Sequence, residues 1–124
     1  MSSRFAGRKA LVTGGTRGIG EAVARQLLSE ECSVVITGKK ERIGWWSNER
    51  NCSFIAVDFA DTAMIKMFCE KIRGDSFSYL VNNSATFDVS AQDTSLDAFE
   101  SIMRINEAAA QVVTKAVADS LKAG

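Results

Sequence analysis

Thr13-Gly14-Gly15-Thr16-Arg17-Gly18-Ile19-Gly20 lies between the apolar run Ala10-Leu11-Val12 and a pattern in which Ile19, Val23 and Leu27 recur at every fourth position. The order is strand, glycine-rich turn, helix, the arrangement that builds a phosphate site. Glycines let the backbone turn tightly and approach a ligand with no Cβ in the way. The unpaired N–H groups of the helix start, and the positive end of its dipole, then face a pyrophosphate. The spacing G-x-x-x-G-x-G differs from the ordinary G-x-G-x-x-G dinucleotide fingerprint. It is not a P-loop, because no Gly-Lys-Ser/Thr closes it. The competing reading is a glycine-rich turn with no ligand.

Around this turn the chain alternates strand and helix patterns. The first strand covers about Lys9–Thr13, and Ser33–Thr37 reads as the second; both have continuous apolar cores, as strands covered on both faces do. The first helix runs from Gly18 to about Glu31. Residues 43–52 are too short for an ordinary crossover helix, so one or two irregular turns are expected, with Trp45 and Trp46 packing over the sheet edge rather than stacking on a base. Phe54–Val57 is the third strand. Asp61 caps a helix over Thr62–Arg73, in which Met64, Phe68 and Ile72 share a face before Gly74 ends it. Tyr79–Val81 is the fourth strand. Thr94 or Ser95 then caps a long helix whose apolar face continues through Ala109, Val113, Val117 and Leu121. The order predicts an α/β fold: a Rossmann-like, doubly wound parallel sheet over residues 1–124, truncated after about four strands.

In such a sheet the carboxyl end of the second strand reads the adenosine ribose. An acidic residue there repels a ribose 2′-phosphate, by about 4 kcal/mol for contacting unit charges at surface-like dielectric. This chain has Gly38 there, followed by Lys39 and Lys40, and Arg17 in the turn adds a positive group. NADP is therefore favoured over NAD, unless Lys39, Lys40 and Arg42 are only a solvated charged turn. Asp58, directly after the third strand, suits an adenine amino group; helix capping is its other reading, and Asp61 fills that role better. Asn82-Asn83-Ser84-Ala85 follows the fourth strand. Amides bridge orphan backbone groups where strands diverge, and small side chains let a nicotinamide ribose lie close; a plain polar turn is the alternative. Asn106 is a mediocre helix former flanked by apolar positions. It points either to solvent or toward the cleft.

Composition narrows the classes. With 124 residues, 46% hydrophobic and 24% charged, the chain suffices for one globular core. A formal net charge of zero with no long run of either sign argues against a nucleic-acid or anionic-membrane surface. No apolar segment reaches the length that crosses a bilayer, and no basic-plus-apolar leader opens the chain, so a cytoplasmic location is expected. The absence of His excludes Ser-His-Asp and Cys-His catalysis and the usual zinc sites. Cys32, Cys52 and Cys69 lack metal-type spacing and read as reduced core thiols rather than reactive ones, and no metal is expected.

The sequence TGGTRGIG, Asp58 after the third strand, Asn82-Asn83-Ser84-Ala85 after the fourth and Arg104-Ile105-Asn106 in the last helix together resemble the amino-terminal half of the short-chain dehydrogenase/reductase family. The resemblance covers nearly the whole chain. It implies an NAD(P)-dependent oxidoreductase fold in which Gly14, Thr16, Arg17, Gly18, Ile19 and Gly20 hold pyrophosphate and Gly38 and Lys39 meet the ribose. Asp58 and Phe59 would border adenine, and Asn83, Ser84 and Ala85 would lie along the nicotinamide ribose. Asn106 matches the helix Asn that positions a water in the family's proton relay, and the last helix matches a dimer element, so a homo-oligomer is implied. The substrate would be a small carbonyl or alcohol. Ser84-Ala85 replaces the family's Ala-Gly. The family's catalytic Ser and Tyr-x-x-x-Lys are expected beyond Gly124: the only Tyr, Tyr79, is followed four residues later by Asn83. A reductase lacking its catalytic half, or a non-catalytic nucleotide-binding or regulatory module, are the two functions to separate. A third, weaker possibility is a half-domain that acts by mixed assembly with a longer relative.

Overall fold

The computed structural model describes residues 5–40, 43–83 and 96–123, with side chains of the last helix described at 106–118 and 121. Four strands form one parallel sheet: β1 (Lys9–Val12), β2 (Ser33–Gly38), β3 (Cys52–Ala56) and β4 (Tyr79–Val81), in the order β3-β2-β1-β4. Among the described residues three α-helices connect or follow them: α1 (Gly18–Ser29), α2 (Thr62–Arg73) and α3 (Leu96–Ala123). Between β2 and β3 the described residues include a short 3-10 helix, Trp45–Asn48, in the segment where irregular turns were expected.

The continuous apolar runs have the anticipated cause. Side chains alternate across a strand, and both faces of this sheet are covered. On one face Leu11, Val35 and Val57 pack with Phe59, Phe68, Ile72, Phe77, Ala109, Val113 and Val117, so α2 and α3 lie there. On the other, Ala10, Val12, Val34 and Ile36 pack with Ala24, Cys32 and Trp46. The spacing by four read in α3 is seen at Ala109, Val113 and Val117, all buried. Thr94 and Ser95, the expected caps of α3, lie outside the described residues.

Strand ends differ from expectation by one or two residues, because pairing decides where a parallel strand stops. β2 continues to Gly38, which pairs with Ala56 and whose carbonyl accepts the Val57 N–H at 2.9 Å. β3 starts at Cys52, opposite Val34. Asp61 caps α2 as anticipated, its Oδ1 accepting the Met64 N–H at 3.1 Å. Trp46 is buried and stacks on Phe54 at 5.0 Å, the edge packing expected of it. The three cysteines are free, with Cys32 and Cys69 buried.

Ile19 shares the four-residue spacing of Val23 and Leu27, yet it is 76% exposed. The helix packs instead through Gly20 and Ala24, with Val23, Leu27 and Leu28 beside them. Ile19 belongs to the first turn of α1, where Gly20 is buried and Ile19 is not.

Candidate functional site

The strand order sets the location. From β1 the chain moves outward through β2 to β3, then returns to place β4 on the opposite side of β1. The crevice at the carboxyl ends of β1 and β4 is the topological switch point, where open α/β sheets bind ligands. The glycine turn leaves β1 at that place.

Three polar side chains hold the turn. The buried Thr13 receives the Asn83 N–H on its Oγ1 at 2.9 Å, while its own N–H donates to the Val81 carbonyl at 3.0 Å. The Thr37 hydroxyl oxygen accepts the Gly14 N–H at 3.1 Å, and the Thr37 carbonyl accepts the Gly15 N–H, also at 3.1 Å. The Asn83 amide donates through Nδ2 to the Gly14 carbonyl at 3.1 Å. Asn83 thus ties the end of β4 to the turn that leaves β1. Gly14 and Gly18 have φ of +67° and +63°, conformations that disfavour any residue with a Cβ.

The glycines divide by what surrounds them. A Cβ on Gly15 would come within 2.6 Å of Ile36 Cγ2, so this residue lies flat on the sheet. A Cβ on Gly20 would run into the Gly14 carbonyl oxygen and reach 2.6 Å from Asn83 Nδ2. A Cβ on Gly18 would meet no other described residue within 4 Å. Arg17 is the N-cap of α1, extended and making no side-chain capping bond, which leaves first-turn N–H groups for an external acceptor. Arg17, Gly18 and Ile19 are exposed at this rim and Thr16 is half-buried. Backbone N–H donors, an open glycine and an arginine form a donor set that fits a pyrophosphate.

At the end of β2, Gly38 is closely packed: a Cβ there would lie 2.7 Å from the Thr16 methyl and 2.9 Å from the Phe54 ring. Lys39 and Lys40 are exposed next to it. Asp58 is half-buried after β3, and its Oδ1 accepts the Ala60 N–H at 2.9 Å, so it shapes the turn while Asp61 does the capping.

Phe59, which follows Asp58, turns its ring away from the surface. It is 8% exposed and meets Phe68 edge-to-face at 5.9 Å, within the core beneath the sheet. Its ring also forms part of the wall of a cavity of about 50 Å³ lined by Thr13, Asn82, Ala109, Ala110 and Val113. Asn106 is half-buried on α3, one turn before Ala110. Ser84 and Ala85 lie outside the described residues.

Several contacts had no signal in the sequence. Asn82 Nδ2 donates to Thr114 Oγ1 at 3.1 Å, tying the end of β4 to α3. Trp45 donates from its indole to the Gly15 carbonyl at 3.3 Å. None of the thiols is activated: burial raises all three, Cys52 to about 11 with help from the Glu49 charge. Among the described residues no cluster of Cys, Asp or Glu is arranged to hold a metal, and no helix is long and apolar enough to cross a membrane.

Known proteins share this organisation. The (+)-cis,cis-nepetalactol synthase of Nepeta racemosa is 31% identical, over 95% of this chain and 47% of that protein. An NADP-dependent (R)-specific alcohol dehydrogenase of Lentilactobacillus kefiri is 30% identical, over 86% of this chain and 45% of its own length. The chain therefore spans about half the length of these curated relatives. A solved short chain dehydrogenase/reductase family protein superposes with a TM-score of 0.79 at 28% identity, covering 96% of this chain and 52% of that one. The short chain dehydrogenase family model matches residues 8–124, which include the glycine turn, the four strands and α3. With its parallel sheet and the pinned turn at the switch point, this chain belongs to the short-chain dehydrogenase/reductase family.

Proposed function

We propose that this chain forms the NADP(H)-binding half of an oxidoreductase that moves a hydride between NADPH and a small carbonyl or alcohol substrate. The observation that carries this is the glycine turn: positive φ at Gly14 and Gly18, beside an α1 start with no side-chain cap. Gly14, Thr16, Arg17, Gly18, Ile19 and Gly20 would surround the pyrophosphate. Gly38 offers no carboxylate to repel a 2′-phosphate, and Lys39 supplies a cation beside it. Asp58 and the backbone of Phe59 would border adenine, with Asn83, Ser84 and Ala85 along the nicotinamide ribose and Asn106 holding a water. The NADP-dependent relative supports the cofactor choice.

When bound, the cofactor supplies the hydride. The carbonyl oxygen also needs a proton, and these 124 residues contain no Tyr-x-x-x-Lys. In this proposal the proton donor comes from outside them. The same observation favours a second function, a nucleotide-binding module without turnover. The proposal further includes a homo-oligomer assembled through α3, where Val112 is 45% exposed, and a cytoplasmic location. Calorimetric titration with NADPH and NADH tests the cofactor. NADPH should bind more tightly, with a preference that shrinks as salt rises. Equal affinities would remove the NADP assignment, and tight NADPH binding with no turnover of a carbonyl substrate even in a protein that carries the proton donor would select the module.

A further inference from the structure

Trp45 reaches the backbone of the glycine turn from across the sheet edge. Its Nε1 donates to the Gly15 carbonyl at 3.3 Å, thirty positions away in sequence. The Arg25 guanidinium lies 4.6 Å from the centre of the Trp45 ring, and Arg25 Nε is held by Glu21 Oε2 at 2.8 Å. Glu21 and Arg25 both belong to α1, the helix that leaves the turn. Trp45 also stands edge-to-face on Trp46 at 6.1 Å, and Trp46 stacks on Phe54. The Phe54 ring borders Gly38. One aromatic run therefore joins Gly15, in the pyrophosphate turn, to Gly38, at the ribose corner.

The bond to Gly15 has a directional consequence. In a trans peptide the carbonyl of one residue and the N–H of the next point in opposite directions. Holding the Gly15 carbonyl toward Trp45 aims the Thr16 N–H to the other side of the turn. The Gly15 N–H is already bonded to the Thr37 carbonyl, so the peptide planes on both sides of this glycine are set. A glycine has the most conformational freedom to lose, and here two distant partners remove it.

We propose that Trp45 is a positioning residue for the nucleotide: by holding the Gly15 carbonyl it orients the Thr16 N–H toward the pyrophosphate, with Arg25 keeping the indole in place. This rests on the nucleotide-binding function proposed above. The test is Trp45→Phe, which keeps an aromatic ring beneath Arg25 and removes the N–H donor. Affinities are measured by NMR titration for NADPH and for adenosine 2′-monophosphate, which has the phosphorylated ribose but no pyrophosphate, together with the urea midpoint. NADPH should weaken about three- to tenfold, the size of one hydrogen bond, while adenosine 2′-monophosphate stays within about twofold. Unchanged NADPH affinity overturns the proposal. So does parallel weakening of both probes, which a loosened segment would produce. If Trp45→Phe does not fold, Arg25→Met decides: the same split between probes supports the positioning role, and no split overturns it. Wild-type protein that binds neither probe refutes the nucleotide-binding function itself, and the inference falls with it.

Discussion

Gly20→Ala sets two effects against each other. Gly20 is the third residue of α1, where Ala is the better helix former by about 1 kcal/mol. Helix propensity alone thus predicts stabilisation. Packing predicts the reverse: the new Cβ would run into the Gly14 carbonyl oxygen and sit 2.6 Å from Asn83 Nδ2. Backbone on one side and a pinned amide on the other leave little room to move aside. Overpacking of this kind costs about 1–3 kcal/mol. Displacing Asn83 from Gly14 loses about 1 kcal/mol more. Set against the propensity gain, the variant should be less stable by about 2 kcal/mol. With a urea slope of about 1–3 kcal/mol per molar, the unfolding midpoint should fall by roughly 1 M. The cost should also depend on Asn83: in an Asn83→Ala background Gly20→Ala should cost about 1 kcal/mol less, because the displaced bond is already gone. A Gly20→Ala protein as stable as the wild type, or more so, would refute the close approach of α1 to the turn.

Other outcomes follow from single sites. Lys39→Glu replaces an exposed cation beside Gly38 with an anion, and should weaken NADPH about tenfold while leaving NADH nearly unchanged, as read by titration at low salt. Gly38→Asp is the more obvious swap toward NADH, but the structure predicts a stability loss alongside it, because its Cβ meets the Thr16 methyl and the Phe54 ring. Thermal unfolding of that variant should show a lowered midpoint whatever the cofactor ratio does. Asp61→Ala removes the acceptor of the Met64 N–H and should destabilise by about 1 kcal/mol in urea unfolding; an unchanged midpoint would mean that water replaces the cap. The Cys52 thiol, raised from 9.0 to about 11 by burial and then by Glu49, stays protonated in the folded chain where the unfolded chain has lost its proton. Its contribution to stability is therefore complete below pH 9 and declines as pH rises toward 11. Cys52→Ala should flatten that decline, and alkylation of native Cys52 should remain slow at neutral pH.

Much of this protein is determined by its sequence read locally. Apolar runs and four-residue spacing reflect burial and backbone hydrogen bonding within a few positions, so the alternation of strands and helices was legible. Thr62–Arg73 and Tyr79–Val81 match the expected bounds, and Asp61 is the cap it was read to be. The glycine spacing marked the turn because only residues without a Cβ tolerate φ near +65° at Gly14 and Gly18. The tertiary structure alone decided which groups meet. Ile19 and Ala24 are both apolar residues of α1, and only the packing of the helix exposes one and buries the other. Phe59 adjoins Asp58 in sequence, yet α2 and α3 draw its ring into the core. Asn83 meets Thr13 across seventy positions, and Trp45 meets Gly15 across thirty. Such contacts depend on strand order and register, set by the packing of both sheet faces at once, and no periodicity over a short window records them.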